Sequence, residues 1–169
     1  MMFQTDFLVE RAELKWADIL WGYKHRLIGW RIPVAIANSR MTESPYHTLL
    51  VQLAELKKDA DWRVGKILEA LANSDSSSEE ASHSKWLFLA LLWLYENREG
   101  VENVFDALRQ VYVEFGYPDA ISAFIPFMPP NDGYDPTAHT SEENRARIFL
   151  KWEEFLFRTN AGEAGLSEG

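Results

Sequence analysis

The chain has no cysteine. That absence removes disulfide frameworks, thiolate zinc sites, iron–sulfur clusters and cysteine nucleophiles together, and it fits a reducing, cytoplasmic home. Glycine-rich phosphate loops, His-Glu-x-x-His and Gly-x-Ser-x-Gly are also missing. Residues 1–13 include Asp6, Glu10 and Glu13 and lack the basic start and apolar run of a signal peptide. The longest apolar run, Trp86 to Tyr95, is half the length of about 20 residues that a membrane-crossing helix needs. Its reading is a helix buried in a core, and no membrane association is expected. Val/Ile/Thr alternation of the strand type is absent, and no internal repeat is evident.

What remains is ample for a folded domain. The 169 residues are 47% hydrophobic and 25% charged, a globular composition. A chain this long buries roughly 70% of its unfolded surface and needs no covalent or metal staple. The expectation is one domain over residues 1–159, followed by a flexible tail over 160–169.

Helical periodicity dominates. Trp16, Ile19, Leu20, Tyr23 and Leu27 share one face of a helix, which Gly29 is expected to end. Pro33 to Met41 predicts a second helix, with proline in its first turn. Ser44-Pro45 predicts the start of a third, and Asp61 the cap of a fourth that buries Val64, Ile67, Leu68 and Leu71. Ser76 with Glu79, or Ser77 with Glu80, has capping-box spacing at the start of the long apolar helix. Val101 to Phe115 is amphipathic, and Thr140 with Glu143 caps a last helix carrying Ile148, Phe149, Trp152, Phe155 and Leu156. The fold class is therefore all-α, a single domain of six to eight helices packed as antiparallel hairpins in a bundle or short solenoid.

Between the last two helices, residues 116–140 hold Pro118, Pro126, Pro129, Pro130 and Pro136. Asp119 to Phe124 can form a short helix; the prolines exclude regular helix from the rest. Structureless connections this long are uncommon and often functional. The segment either lids the core with Phe124, Ile125, Phe127 and Met128 or presents a partner-binding surface.

Chemistry-bearing patterns are sparse. Glu80-Ala-Ser-His83 has Glu-x-x-His spacing, but a di-iron bundle needs a second such motif and further glutamates. Adjacent acids such as Glu142/Glu143 point about 100° apart on a helix and do not converge. The expectation is a non-enzyme with no metal and no cofactor.

Charge is distributed unevenly. Residues 1–73 carry ten basic and nine acidic side chains, whereas residues 74–169 carry seven and seventeen, a local net of −10. Such a surface repels nucleic acid and attracts a basic protein. The partner contacts expected on this ground are Glu96, Glu99, Glu102, Asp106, Asp119, Asp132 and Asp135. Trp21 and Trp30 join them, because they flank a helix end beside Tyr23, Lys24 and Arg26, and aromatic residues with arginine are typical interface anchors. Trp16, Trp86, Trp93 and Trp152 fall on apolar stripes and are expected in the core.

Two stretches carry a resemblance. Trp16-Ala-Asp18-Ile19-Leu-Trp21-Gly22 is similar to an early Trp-x-Asp-Ile-x-Trp-Gly motif. Tyr112, Phe115, Tyr117 and Pro118, followed by Met128-Pro129, are similar to a late Tyr-x-Asp-Phe-x-Tyr-Pro…Met-Pro motif, with Glu114 where the family has aspartate. Both resemble a bacterial family of unknown function, number twenty-two forty-seven. The resemblance implies a bacterial cytoplasmic source and brings no activity. By analogy with other small acidic helical bacterial proteins, the expected role is an immunity-type protein that neutralises a basic toxin through its acidic surface. The alternative is a structural or regulatory adaptor that binds through residues 116–140.

Overall fold

The computed structural model describes residues 3–41 and 47–165, and for residues 160–165 the backbone alone. Among the described residues the protein is helical and has no strand, as the periodicity predicts. Eight α-helices follow one another: α1 (Thr5–Arg11), α2 (Trp16–Lys24), α3 (Arg31–Arg40), α4 (Thr48–Ala54), α5 (Val64–Ala72), α6 (Glu79–Glu96), α7 (Val104–Glu114) and α8 (Ser141–Gly165). Four 3-10 segments, Lys58–Arg63, Arg98–Gly100, Asp119–Phe124 and Pro136–Ala138, lie between them. The chain clusters into two compact units, Met1–Leu89 and Ala90–Gly169, and the division falls inside α6. Of the expected tail, residues 160–165 continue the α8 backbone, and residues 166–169 lie outside the described residues.

In the first unit α2 packs on α5, α3 on α4, α4 on α5 and α1 on α3. Leu8, Ile19, Ile36, Leu53 and Leu68 are fully buried between them. The α2 face follows its periodicity, but the helix ends earlier than Gly29. Arg26 takes the left-handed conformation at φ 60°. The Leu27 N–H donates to the Gly22 carbonyl at 2.9 Å, and the Arg26 N–H to the Tyr23 carbonyl at 3.1 Å. This is a Schellman ending with arginine where glycine is usual.

Other caps also differ from expectation. Asp61 lies inside a 3-10 segment, and α5 starts only at Val64 with no side-chain cap. At α6 neither Ser76 nor Ser77 is the cap. The Ser78 hydroxyl accepts from the Ala81 N–H at 3.1 Å, which releases Ser77 for a contact elsewhere. Ser44-Pro45 lies outside the described residues, and α4 is capped by the His47 ring, which accepts from the Leu50 N–H at 3.3 Å. The Thr140/Glu143 box forms reciprocally. The Thr140 N–H donates to Glu143 Oε2 at 2.8 Å, and the Glu143 N–H to Thr140 Oγ1 at 3.2 Å.

The polar centre of the first unit is Asp18, whose side chain is entirely buried. One carboxylate oxygen accepts from the Ser82 and Ser77 hydroxyls at 2.7 and 3.1 Å. The other accepts from Lys85 Nζ and the Lys15 N–H, both at 2.8 Å. Burial pushes the Asp18 carboxyl up, but the hydrogen bonds from Lys85, Ser82 and Lys15, with the lysine charge, hold it below the usual aspartate range. Trp86 Nε1 donates to the Asp18 carbonyl at 2.8 Å. Its ring lies against Gly22, so close that a Cβ there would sit 2.3 Å from Trp86 Cζ2. Thus Asp18 and Gly22, four residues apart on one helix face, receive the start of α6. A second tie runs from the Ala17 N–H to Asp75 at 2.8 Å.

Trp86 through Leu91 are six consecutive buried residues, more than one helical turn, so this stretch of α6 is buried on every side. The expectation for this helix holds. Trp86 and Trp152 are fully buried, whereas Trp16 and Trp93 are only half-buried. The Arg40 guanidinium covers Trp16 at 4.7 Å and donates to the Leu14 carbonyl. In the second unit α8 packs on the Asp119–Phe124 segment. Trp152 stacks on Phe124 at 6.2 Å and meets Tyr95 edge-on at 5.3 Å.

Two substitutions test the α2–α6 joint. Gly22→Ala should destabilise by about 1–2 kcal/mol in urea unfolding, because overpacking against a rigid ring outweighs the helix propensity gained. Asp18→Ala should cost about 3 kcal/mol, since it strands Lys85, the buried Ser82 hydroxyl and the half-buried Ser77 hydroxyl. Unchanged midpoints in both would mean that the joint contributes nothing to stability.

Candidate functional site

The Pro-rich connection divides at Pro126. Before it, Ile121, Phe124 and Ile125 are buried and act as the lid that their apolar character suggests. Beyond it the chain turns outward. The Met128 N–H donates to the Ile125 carbonyl at 3.3 Å, and Phe127 stands at φ 73°. Proline second and a positive φ third make this a type II turn, in which the third position favours glycine. Phenylalanine occupies it instead and is 87% exposed; Met128 beside it is exposed as well. Tyr117, preceding Pro118, is a second exposed aromatic residue at positive φ, 61°.

Behind the Phe127 turn lies an open groove of about 570 Å³. Its walls are apolar, formed by Phe105, Ile125, Phe127, Met128, Ile148 and the prolines, and its rim carries Arg145 and Arg147. The far side of the groove is fastened to α8. Tyr134 Oη donates to Asn144 Oδ1 at 2.6 Å, and Asn144 Nδ2 to the Pro136 carbonyl at 2.9 Å. Arg147 grips Asp132 through both carboxylate oxygens at 2.8 and 2.7 Å, and Lys151 reaches it at 3.1 Å. Arg147 also lies over the Tyr134 ring at 4.1 Å, and that ring stacks on His139 at 4.6 Å. Asp135 closes the turn by accepting from the Thr137 N–H and hydroxyl at 2.9 and 2.7 Å.

The expected acidic contacts fall into two kinds. Glu96, Glu99, Glu102 and Asp106 are exposed and follow one another from the end of α6 to the first turn of α7. Asp106 also accepts from Asn103 Nδ2 at 2.6 Å. Asp119 is exposed at the start of its 3-10 segment. Asp132 is engaged by Arg147 and Lys151 of α8 and Asp135 by Thr137 of its own loop, and both hold the loop's shape. Of the tryptophans, Trp21 is half-buried, stacked on His25 at 3.7 Å and edge-on to His83 at 5.7 Å. Trp30 is half-buried with Arg31 over its ring at 5.6 Å and lines an open cleft with Tyr23, Lys24 and Arg26. Arg145 and Arg147 are not among the residues that the sequence singles out, and Phe127 is named there only as one of the apolar residues of the Pro-rich segment. Pro126 at the second turn position was the one local sign that Phe127 faces outward.

Among the described residues no group of three His, Asp or Glu side chains is placed to hold a metal ion. No described helix is long and apolar enough to cross a membrane.

The tie to Asp132 sets a pH dependence. Hydrogen bonds from Lys151 and Arg147 lower its carboxyl from 3.8 to about 2. A depressed carboxyl favours the fastened loop above its ordinary value, and the contribution is lost as pH falls through about 2. The Asp132 carboxyl resonance in a carbon-13 NMR titration should therefore move near pH 2, with Tyr134 and Asn144 following. Titration near 3.8, the value of a free side chain, would mean that the tie does not form.

Neither a curated protein nor a solved structure matches the chain. A family model does, over residues 5–160, a span that takes in both motif stretches and the whole groove. The chain belongs to the family described as "Uncharacterized protein conserved in bacteria (DUF2247)".

Proposed function

We propose that the chain is a cytoplasmic protein-binding module whose contact surface is the segment between α7 and α8. One observation carries the reading: Phe127, a large aromatic side chain, is 87% exposed at φ 73° in a turn that favours glycine. Folding gains little from such a residue, because the ring buries almost nothing and the backbone is strained. Strain of this kind persists at functional sites, and aromatic side chains with methionine are enriched in interfaces. The groove behind the turn gives a partner a concave surface to enter.

The immunity-type reading has its own support in the exposed run of Glu96, Glu99, Glu102 and Asp106. On that reading a basic toxin docks on α6–α7, association slows as salt rises, and Glu99→Lys with Glu102→Lys abolishes it.

Phe127→Gly separates the two. Its stability should be unchanged or up to about 1 kcal/mol higher, as relief of strain offsets the added freedom of the unfolded chain. A protein captured from the source bacterium by the parent, purified and titrated, should lose binding to Phe127→Gly. Equal affinity for parent and variant would reject the Phe127 surface, and loss only in the double lysine variant would favour the acidic face.

A further inference from the structure

The charge around the groove runs against its surroundings. Residues 74–169 hold seventeen acidic and seven basic side chains, yet no acidic side chain lines the groove and two arginines do. Arg147 is neutralised by Asp132. Arg145 is exposed and has no carboxylate partner among the described residues. Its guanidinium carbon lies over two aromatic rings, 4.7 Å from the centre of Phe105 and 5.5 Å from that of Phe149. The neighbouring polar side chains of Tyr134 and Asn144 are already bonded to each other.

A guanidinium drawn over aromatic rings by its charge keeps N–H donors for a further partner, and its planar fork matches a carboxylate bidentately. Held at the mouth of an apolar groove, it selects ligands with an apolar part and an acid close together. The groove volume suits a few side chains rather than a folded element. Phe127 and Met128 extend the apolar surface outward from it, which suits a ligand that continues beyond the groove, as a polypeptide does. We infer that the groove takes a short acidic and apolar segment of a partner protein, with Arg145 holding the segment's carboxylate and the groove its apolar side chain. The inference rests on the proposed Phe127 contact surface and adds the chemistry of the partner. It is the opposite charge preference from that of an acidic face binding a basic toxin.

The test is selection of a displayed random peptide library on the full-length protein, on Arg145→Gln and on Phe127→Gly. The parent should enrich peptides that pair Asp or Glu with a bulky apolar residue. Arg145→Gln should still enrich apolar residues but lose the acid, and its unchanged thermal midpoint would show that it folds. A synthetic consensus peptide should then lose about tenfold or more in affinity when its acid becomes the amide, as for a charge-assisted pair at an interface. The same change should have no effect on Arg145→Gln, because the two halves of one contact are coupled. Arg145→Lys, which keeps the charge without the flat fork, should recover only part of the difference.

Several results would overturn the inference. Enrichment of apolar peptides with no acid would leave Phe127 as a contact and remove the role of Arg145. Enrichment that is identical on Phe127→Gly, or no enrichment on the parent, would remove both the inference and the contact surface beneath it. Arg145-dependent binding of decanoate, with no peptide enriched, would assign the groove to a small amphiphile instead.

Discussion

The side-chain carboxylate of Asp18 is the point at which three separate stretches of chain are made to agree. A carboxylate that buried is tolerable only if each oxygen is paired, and here the partners come from the entry to α2, from the serine-rich loop and from the first turns of α6. None of the three can shift without leaving a charge or a hydroxyl stranded. The carbonyl of the same residue takes the Trp86 indole N–H, so the polar contact also sets where this fully buried ring lies. Gly22 then supplies the space for that ring. The Trp-x-Asp-Ile-x-Trp-Gly pattern thus has a structural meaning in which aspartate fixes position and glycine permits approach.

The parts of the fold set by short-range rules were legible in the sequence. Trp86 to Tyr95 reads as buried because apolar residues occupy every face, and Thr140 with Glu143 reads as a cap because both bonds lie within one turn. The features missed or misplaced depend on distant partners or on a turn taken by an unusual residue. Helix α1 buries only Leu8 and has no side-chain cap, so it carries little local signal; its packing on α3 supplies the rest. Gly29 looked like the end of α2, yet Arg26 adopts the left-handed turn that glycine favours. Ser77 has cap spacing but serves Asp18, 59 residues away.

The candidate site was legible only in outline. Length and proline content single out residues 116–140, but irregular backbone has no period, so sequence cannot tell which apolar residues face inward. Phe124 and Phe127 look alike as letters; one is buried and the other is exposed. The acidic excess pointed to charge as the binding signal. The three-dimensional arrangement places two arginines of α8, two residues apart in sequence, at an apolar groove free of acids.

The fastening of the Pro-rich loop has a kinetic consequence. Asp132 on Arg147 and Lys151, Tyr134 on Asn144 and Asp135 on Thr137 hold the backbone beyond the groove in place. The entropy of ordering that loop is therefore lost when the chain folds, not when something docks. Encounter with this surface then requires no folding step, and an orientation-limited association rate of about 10⁵–10⁷ M⁻¹s⁻¹ is open to it. Differences among ligands would accordingly be expressed in how long each stays bound, not in how fast it arrives.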